Sequence, residues 1–555
     1  MSRVMGSRRS LPRSLGLPGR AGVVLMAAGL GMLSPFAAAP ALAQTANTPA
    51  GSWATPPPLP PGFQLPTDDG GPDKPYKQKN ACVQRSLGQN VVINSRPWGQ
   101  DYLQLQKAQQ IVRAKMGSVG GGQRVAVIDT GVSKHPWFQD RLESGGEYVH
   151  PPENGAAPGL QDCDGHGTEV AGIIAGNPRD QSVGFIGVAP DAHIVSYRQL
   201  SENYAKDDSP QQPAGGDSQS PPASGGNSQS PPASGGNSQL PPSSGGGTGS
   251  GQPGGTTPQQ DNKGDNRQLA KEGTAGTLKT LAEIIRNIAD NHRAGVINMS
   301  VDHCRQGKGP GDIQLGEQQV QAAVKYATEQ NIVVVAAAGN VSEGCPQNDQ
   351  ADPNKPKSVV TPPWFADDVL SVGAIDEDGS VAQFSVHGPW VGVAAPGTKI
   401  VSLDPAEGST GLANLTISNG QPSQIQGTSF AAPYVAGLAA LVRQMYPNLS
   451  ARDVIKRIKA TAQHPAAPGG RDNFVGYGVV DPVAALTADL PNDTGDLTPQ
   501  KPVVQEAVLP PANGGSSTPM IVALAGTGGG VAALLITLFV MHTIRRNRKP
   551  APKAR

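Results

Sequence analysis

Three short stretches of the sequence carry the residue types that a serine nucleophile needs. Asp129 ends an apolar run in VIDTGV, His166 stands between two glycines in DGHGTEVAGIIAG, and Ser429 stands near the start of GTSFAAPYVAGLAAL. A serine hydroxyl is a weak nucleophile until a base takes its proton, and a neutral histidine can do this near pH 7. A buried carboxylate holds that histidine in the required tautomer. Each residue alone also fits an ordinary structural role, such as a turn residue or a helix N-cap.

The three stretches are positioned by an alternation of strands and helices. Apolar periodicity predicts five buried strands and two crossover helices. The strands lie at 125–128, 193–200, 296–300, 332–340 and 368–376, and the helices at 280–295 and 317–331. The alternation predicts an α/β fold, with a doubly wound parallel sheet and helices on both faces.

This fold would bring the three residues to one place. In a doubly wound sheet the active crevice lies beyond the carboxyl ends of the strands. Asp129 is at such an end, and helix N-termini that face the crevice would carry His166 and Ser429 into it. Pro433 follows Ser429 closely enough to be tolerated in the first turn of its helix.

A low-complexity segment at 201–270 interrupts the alternation. It contains a ten-residue unit repeated three times within 215–247, and it holds too few large apolar residues to offset the entropy cost of ordering. Because it lies between a strand and the crossover helix that follows, we interpret it as an insertion inside one domain. It is either a mobile loop rooted near the rim of the crevice or a tolerated insertion without a role.

The N-terminal residues have the pattern of a secretory signal peptide. Arginines precede an apolar run at 21–33, and Ala41-Leu42-Ala43 gives a small-residue cleavage site. We therefore predict a signal peptide at 1–43, with a membrane anchor as the alternative. A Pro-rich extension at 44–102 follows, and the folded domain occupies 103–489.

The C-terminal residues predict a membrane anchor. A linker at 490–519 leads into an uncharged segment at 520–541, which is long enough to cross a bilayer as a helix. Basic residues follow at once in the tail, 542–555, so the positive-inside rule predicts a cytoplasmic C-terminus and an extracytoplasmic folded domain. An apolar tail that does not span the bilayer is the alternative.

Charge and cysteine content narrow the class of protein further. Lys plus Arg equals Asp plus Glu at 44 each, which gives no case for a nucleic-acid partner. The four cysteines lie in the part predicted to be exported, where disulfides are favoured, and they allow three pairings. They are Cys82, Cys163, Cys304 and Cys345.

Taken together, these motifs resemble those of the subtilisin-like serine proteases (subtilases). The chain order Asp129, His166, Ser429 matches, and so does the sequence around each residue. AAAGN at 336–340 also matches, and the resemblance implies that Asn340 donates to the oxyanion together with the backbone N–H of the nucleophile. The resemblance covers 123–486 apart from the insertion, and it implies a serine endopeptidase with a subtilisin-like sheet.

The resemblance also implies where substrate lies. The edges of the cleft would include the backbone of Ser300 and the pair Ala338 and Gly339. Many subtilases have Gly-rich sequence after the first of these segments, but this chain has VDHCRQG at 301–307, so the residue preference does not carry over. No cofactor or metal is expected; no calcium-loop motif is present, although subtilase calcium sites are scattered.

The arrangement as a whole is similar to that of the mycosins, the membrane-anchored subtilases of type VII (ESX) secretion systems. That resemblance implies cleavage of substrates secreted by the same system, outside the membrane, and stabilisation of a complex of membrane subunits. It also implies that the N-terminal extension wraps the catalytic domain. The alternative is a chiefly structural subunit whose proteolysis is dispensable.

The predicted sheet indicates how the four cysteines pair. Cys304 follows the strand that ends near Ser300, and Cys345 follows the strand that ends near Asn340. If these strands are neighbours, their loops leave the same sheet edge within reach of a disulfide. This favours Cys304–Cys345 and therefore Cys82–Cys163, which would fasten the extension beside His166.

Overall fold

A computed structural model describes residues 52–83, 91, 93–152, 155–207, 274–349, 352–418, 421–490 and 518–547. All of them belong to the compact unit Pro49–Arg555. The predicted signal peptide at 1–43 lies outside the described residues, as do 208–270 of the predicted insertion and 491–517 of the predicted linker.

The described residues form the following strands and α-helices, each set numbered in chain order. The strands are β1 (Tyr76–Gln78), β2 (Arg124–Asp129), β3 (Leu142–Glu147), β4 (His193–Arg198), β5 (Ser201–Lys206), β6 (Thr274–Ala275), β7 (Val296–Met299), β8 (His303–Gln306), β9 (Val333–Ala337), β10 (Ser358–Thr361), β11 (Leu370–Ile375), β12 (Val391–Pro396), β13 (Ser402–Leu403), β14 (Leu412–Ala413), β15 (Leu415–Ser418) and β16 (Gln421–Gln424). The helices are α1 (Trp98–Tyr102), α2 (Leu105–Met116), α3 (His166–Ala175), α4 (Leu278–Asp290), α5 (Leu315–Glu329), α6 (Thr428–Met445), α7 (Ala451–Ala460), α8 (Pro482–Thr487) and α9 (Thr518–Asn547).

A seven-stranded sheet forms the centre of the domain, in the order β12-β11-β9-β7-β2-β4-β3. All six pairings in it are parallel. Side chains alternate across β2: Val125 and Val127 join the core formed with α3 and α6, while Ala126 and Ile128 join the core formed with α4 and α5. Because both faces are covered by helices, the inner strands are mostly apolar, whereas the edge strand β3 (LESGGE) is mostly polar and half-buried. The predicted doubly wound parallel sheet is confirmed.

The element boundaries agree closely with the sequence pattern. The crossover helix predicted at 280–295 is α4, which begins after Thr277, whose side chain caps it by accepting from the Thr280 N–H at 3.3 Å. It ends at Asp290, because residues 291–295 turn the chain into β7. The strand predicted at 193–200 ends at Arg198.

The predicted bounds of the insertion were wrong at their N-terminal end. Ser201–Lys206 is the strand β5, which pairs antiparallel with β1 of the extension and with the short strand β6. Tyr76 and Tyr204 are buried in the small cluster that this three-stranded sheet covers. The extension likewise contains regular structure, β1 and α1, although its sequence has no periodicity.

The N-terminal extension packs along the surface of the domain. Near its start, the Trp53 indole N–H donates to Pro356 O at 2.8 Å and the Trp53 backbone N–H donates to Asn354 O at 2.9 Å. Further along, Asn287 Nδ2 on α4 donates to Asp68 Oδ2 at 2.7 Å. These contacts agree with the wrapped extension that the resemblance implied.

The C-terminal helix α9 covers the segment predicted to span the membrane. Within the part of the chain that the structure describes, however, no helix combines the length and apolar character needed to cross a bilayer. The anchor at 520–541 therefore stays a prediction. Of the predicted basic tail, residues 548–555 lie outside the described residues.

Both predicted disulfides are present, Cys82–Cys163 and Cys304–Cys345. The strands β7 and β9 are neighbours, as the predicted pairing required, and Cys304 and Cys345 follow them at the same sheet edge. Beside the other disulfide, the Val83 N–H donates to Cys163 O at 2.9 Å, so the extension is held three residues before His166.

We expect the double variant Cys304→Ser/Cys345→Ser to melt about 5 °C below the wild type. The disulfide closes a loop of 41 residues, which corresponds to about 4 kcal/mol of loop-closure entropy in the unfolded chain. Scanning calorimetry or fluorescence melting of the oxidised proteins measures the shift. A melting temperature equal to that of the wild type would contradict the prediction.

Candidate active site

Asp129 and His166 meet in a buried hydrogen bond. Asp129 is the last residue of β2 and His166 is the first residue of α3, and both side chains are fully buried. His166 Nδ1 donates to Asp129 Oδ1 at 2.7 Å, and the Thr130 N–H donates to the same oxygen at 2.8 Å. Because the carboxylate accepts at Nδ1, the proton is held there and Nε2 is the ring atom that can act as a base.

A second buried carboxylate, Asp162, holds the segment that enters α3. Its Oδ1 accepts from the Gly165 N–H at 2.7 Å and from Thr130 Oγ1 at 2.8 Å. Its Oδ2 accepts from the N–H and the hydroxyl of Thr168 at 2.8 and 2.6 Å. Asp162 thus ties the residue after Asp129 to the first turn that carries His166.

Gly165 makes the tight entry to α3 possible. Its φ is +88°, and a Cβ there would lie 2.8 Å from Pro405 Cγ. A larger residue would meet both backbone strain and a steric clash at this position. The glycine before His166 is therefore required by the local backbone.

Ser429 lies in the first turn of α6, on the helix that packs against α3. The ring of the next residue, Phe430, lies 4.9 Å from the ring of His166 between centroids. Ser429 is only 2% exposed, and its hydroxyl has no hydrogen-bond partner among the residues that the structure describes. Catalytic hydrogen bonds are often long before substrate binds.

Pro433 lies in the second turn of α6, not in the first turn as predicted, because the helix begins at Thr428. Proline has no N–H, so it cannot donate to the carbonyl of Ser429 four residues earlier. The hydroxyl of Ser300 donates to that carbonyl instead, at 2.6 Å. Ser300 directly follows β7, so this bond fixes the start of α6 to the sheet edge.

Asn340 is joined to the residue that precedes Ser429. Asn340 Oδ1 accepts from the backbone N–H of Thr428 at 3.0 Å and from its hydroxyl at 3.1 Å. The hydroxyl of Thr428 also accepts from the Gly339 N–H at 3.2 Å. Since the amide oxygen faces Thr428, the Nδ2 donor is directed to the other side, as an oxyanion donor requires.

The residues predicted to border the cleft lie on two neighbouring segments. Ser300 follows β7, and Ala338 and Gly339 follow β9, its parallel neighbour. All three are buried. The structure therefore brings these segments together at the sheet edge that holds Asp129.

Sequence reasoning missed Asp162 and Thr428. Thr428 lies inside the quoted motif GTSFAAPYVAGLAAL and Asp162 lies just before the motif DGHGTEVAGIIAG, but their roles depend on burial and on hydrogen bonds that the motifs do not show. The sequence carried no local signal for either role, since the acid directly before the Gly-His-Gly turn is Asp164 and not Asp162. The expectation of no metal stays untested; in the described ranges, no group of three or more His, Cys, Asp or Glu side chains could hold an ion.

Comparison with known proteins gives consistent similarities. The profile of the Subtilase family matches residues 120–478. Mycosin-1 of Mycobacterium tuberculosis is 39% identical over 462 residues, which is 81% of this chain and 86% of the relative. The crystal structure of MycP1 from the ESX-1 type VII secretion system matches with a TM-score of 0.60 at 34% identity, covering 79% of this chain and 98% of that one. A chain of an intact ESX-5 inner membrane complex matches with a TM-score of 0.60 at 33% identity, covering 88% and 100%.

We expect Asp162→Asn to lower the free energy of unfolding by about 2–4 kcal/mol, because two donors of Thr168 would then face an amide. The substitution should also displace His166, and without the base in place the labelling of Ser429 by a fluorophosphonate should slow at least tenfold. Thermal melting and labelling rates measure both effects. Asp180→Asn is the matched control, since Asp180 is exposed; similar losses in the two variants would contradict the assignment.

Thr428→Val should reduce kcat by about tenfold with little change in KM. The substitution keeps the shape of the side chain but removes the hydroxyl that holds the Asn340 amide, so oxyanion stabilisation weakens while substrate binding does not. Thr428→Ser keeps the hydroxyl and should retain wild-type turnover. Equal losses in the valine and serine variants would exclude this positioning role.

Proposed function

The chain belongs to the subtilase family and, within it, to the mycosins of ESX secretion systems, and on this premise we propose that it is a serine endopeptidase that acts outside the cytoplasmic membrane. One observation carries the proposal. It is the buried 2.7 Å hydrogen bond between His166 and Asp129, at the sheet edge to which the segments of Ser429 and Asn340 are also bonded.

The proposed reaction is acyl transfer to Ser429. His166 Nε2 takes the proton of the Ser429 hydroxyl as its Oγ attacks the carbonyl carbon of the scissile peptide. Asp129 holds the Nδ1–H and stabilises the imidazolium that results. Asn340 Nδ2 and the Ser429 N–H donate to the developing oxyanion.

The second half of the reaction uses the same groups. The imidazolium gives its proton to the leaving amine, and the acyl group stays on Ser429 Oγ. His166 then removes a proton from water, which attacks the ester carbonyl. The bond to Ser429 Oγ breaks as the imidazolium returns its proton to Oγ, and the new carboxyl terminus is released. Neither half requires a metal or an organic cofactor.

We also propose that the protein is anchored by the segment at 520–541 with its catalytic domain extracytoplasmic. The support is the absence of charge in this segment and the basic residues at 545, 546, 548 and 549 that follow it. The predicted signal peptide at 1–43 agrees with export of the domain.

The proposed partners are the membrane subunits of a type VII secretion complex and the proteins that it secretes. The similarity to a chain of the ESX-5 inner membrane complex, over 88% of this chain, supports the first. The presence of Asp129, His166 and Ser429 supports the proposal that secreted proteins are the substrates. The alternative is a chiefly structural subunit. It is supported by the same similarity to a chain of the ESX-5 complex, and the experiment below distinguishes it from the endopeptidase.

We expect Ser429→Ala to abolish processing of a secreted substrate while leaving the protein folded and associated with the membrane complex. The test compares secretion and substrate size in cells that carry the wild type, the variant or a deletion. Ser423→Ala is the matched control, since Ser423 is a half-buried serine on β16, which pairs with β15.

The outcomes discriminate between the two functions. Loss of cleavage with normal secretion in Ser429→Ala, together with loss of secretion in the deletion, assigns the essential role to complex stability. Cleavage by the purified Ser429→Ala protein would overturn the endopeptidase proposal.

A further inference from the structure

Asp302 is a buried acid that the proposed reaction does not use. It lies in the short connection between β7 and β8, two residues after Ser300. The residue is only 4% exposed, and its Oδ1 atom has no hydrogen-bond partner among the described residues. Because buried carboxyl oxygens in proteins are nearly always hydrogen-bonded, an unpartnered one beside an active site calls for a functional explanation.

The Asp302 carboxyl fills the gap between the two segments that border the cleft. A Cβ built on Gly339 would lie 3.0 Å from Asp302 Oδ2 and 3.0 Å from Val360 Cγ1. The carboxyl therefore rests against the bare backbone of Gly339, with the apolar side chain of Val360 beside it. Gly339 has a φ of +100°, which also favours glycine at this position.

The direction of the substrate follows from the groups already described. A carbonyl carbon at Ser429 Oγ, with its oxygen at Asn340 Nδ2, belongs to the residue before the scissile bond. Asn340 directly follows Gly339, and Ser300 is bonded to the carbonyl of Ser429. The side chain of that substrate residue must therefore extend between the segment at 300–302 and the segment at 338–340.

The Asp302 carboxyl is easily protonated in this space. Burial is the only cause of its pKa shift and raises the pKa to about 7. No Lys, Arg or His among the described residues is hydrogen-bonded to it. Because the side chain occupies this space in either protonation state, its volume acts on the substrate whatever its charge.

Building on the proposed endopeptidase function, we propose that Asp302 is a specificity-determining residue that restricts the substrate residue before the scissile bond to Gly, Ala or Ser. Its side chain occupies the space that a larger substrate side chain would need. Removal of the side chain opens that space onto Gly339 and Val360, whose surfaces suit apolar groups.

The test uses the full-length protein in detergent and a complex peptide mixture whose cleavage sites are identified by mass spectrometry. In the wild type, Gly, Ala and Ser should dominate before the cut. Asp302→Gly should raise cleavage after Leu and Phe, relative to Ala, at least tenfold. Asp302→Asn keeps the volume without the ionisable group and should retain the wild-type preference.

Three results would overturn the inference. They are a wild type that cuts after large residues, an Asp302→Gly variant with unchanged preference, and a preference for Lys or Arg that Asp302→Asn abolishes. If Asp302→Gly does not fold, as judged by thermal melting, Asp302→Ala replaces it.

Fluorophosphonate labelling of Ser429 separates this inference from the function on which it rests. A wild type that is labelled and cuts after large residues overturns the role of Asp302 alone. A wild type that is neither labelled nor active overturns the endopeptidase proposal, and the inference with it.

Discussion

The site depends on one hydrogen bond between two fully buried side chains, the carboxylate of Asp129 and the imidazole of His166. In that environment each partner would be costly to bury without the other. The bond also requires two backbone segments, 37 residues apart, to be held to within a fraction of an ångström. Asp162 meets that requirement, because its four accepted hydrogen bonds join the end of β2 to the start of α3.

The second half of the site is joined to the same sheet edge by different means. Ser300 satisfies the carbonyl that Pro433 leaves without a helical donor, and Thr428 binds the amide of Asn340. The start of α6 is thus bonded to the segments after β7 and β9. Side-chain hydroxyls, which contribute nothing to the apolar core, set the relative positions of the reacting groups.

Much of this architecture was predictable from the sequence, and the exceptions have a common physical cause. Strands such as β2 and β9 are buried on both faces, so their apolar runs stand out locally. The disulfide pairing followed from the adjacency of β7 and β9. In contrast, β5 is ordered by β1, more than 100 residues earlier, and by β6, which follows the low-complexity segment. Asp162, Thr428 and Asp302 matter because of what surrounds them, and a linear pattern does not report that.

The pairing of β5 with β6 has a further consequence for the repeats at 215–247. Ser201 pairs with Ala275 and Ala205 pairs with Thr274, so the two described ends that flank 208–273 lie side by side in one sheet. Lengthening a closed segment adds little free energy, about 0.6 kcal/mol for each doubling. A change in the number of ten-residue units therefore leaves the pairing of β5 with β6, and with it the catalytic framework, intact at little cost in free energy.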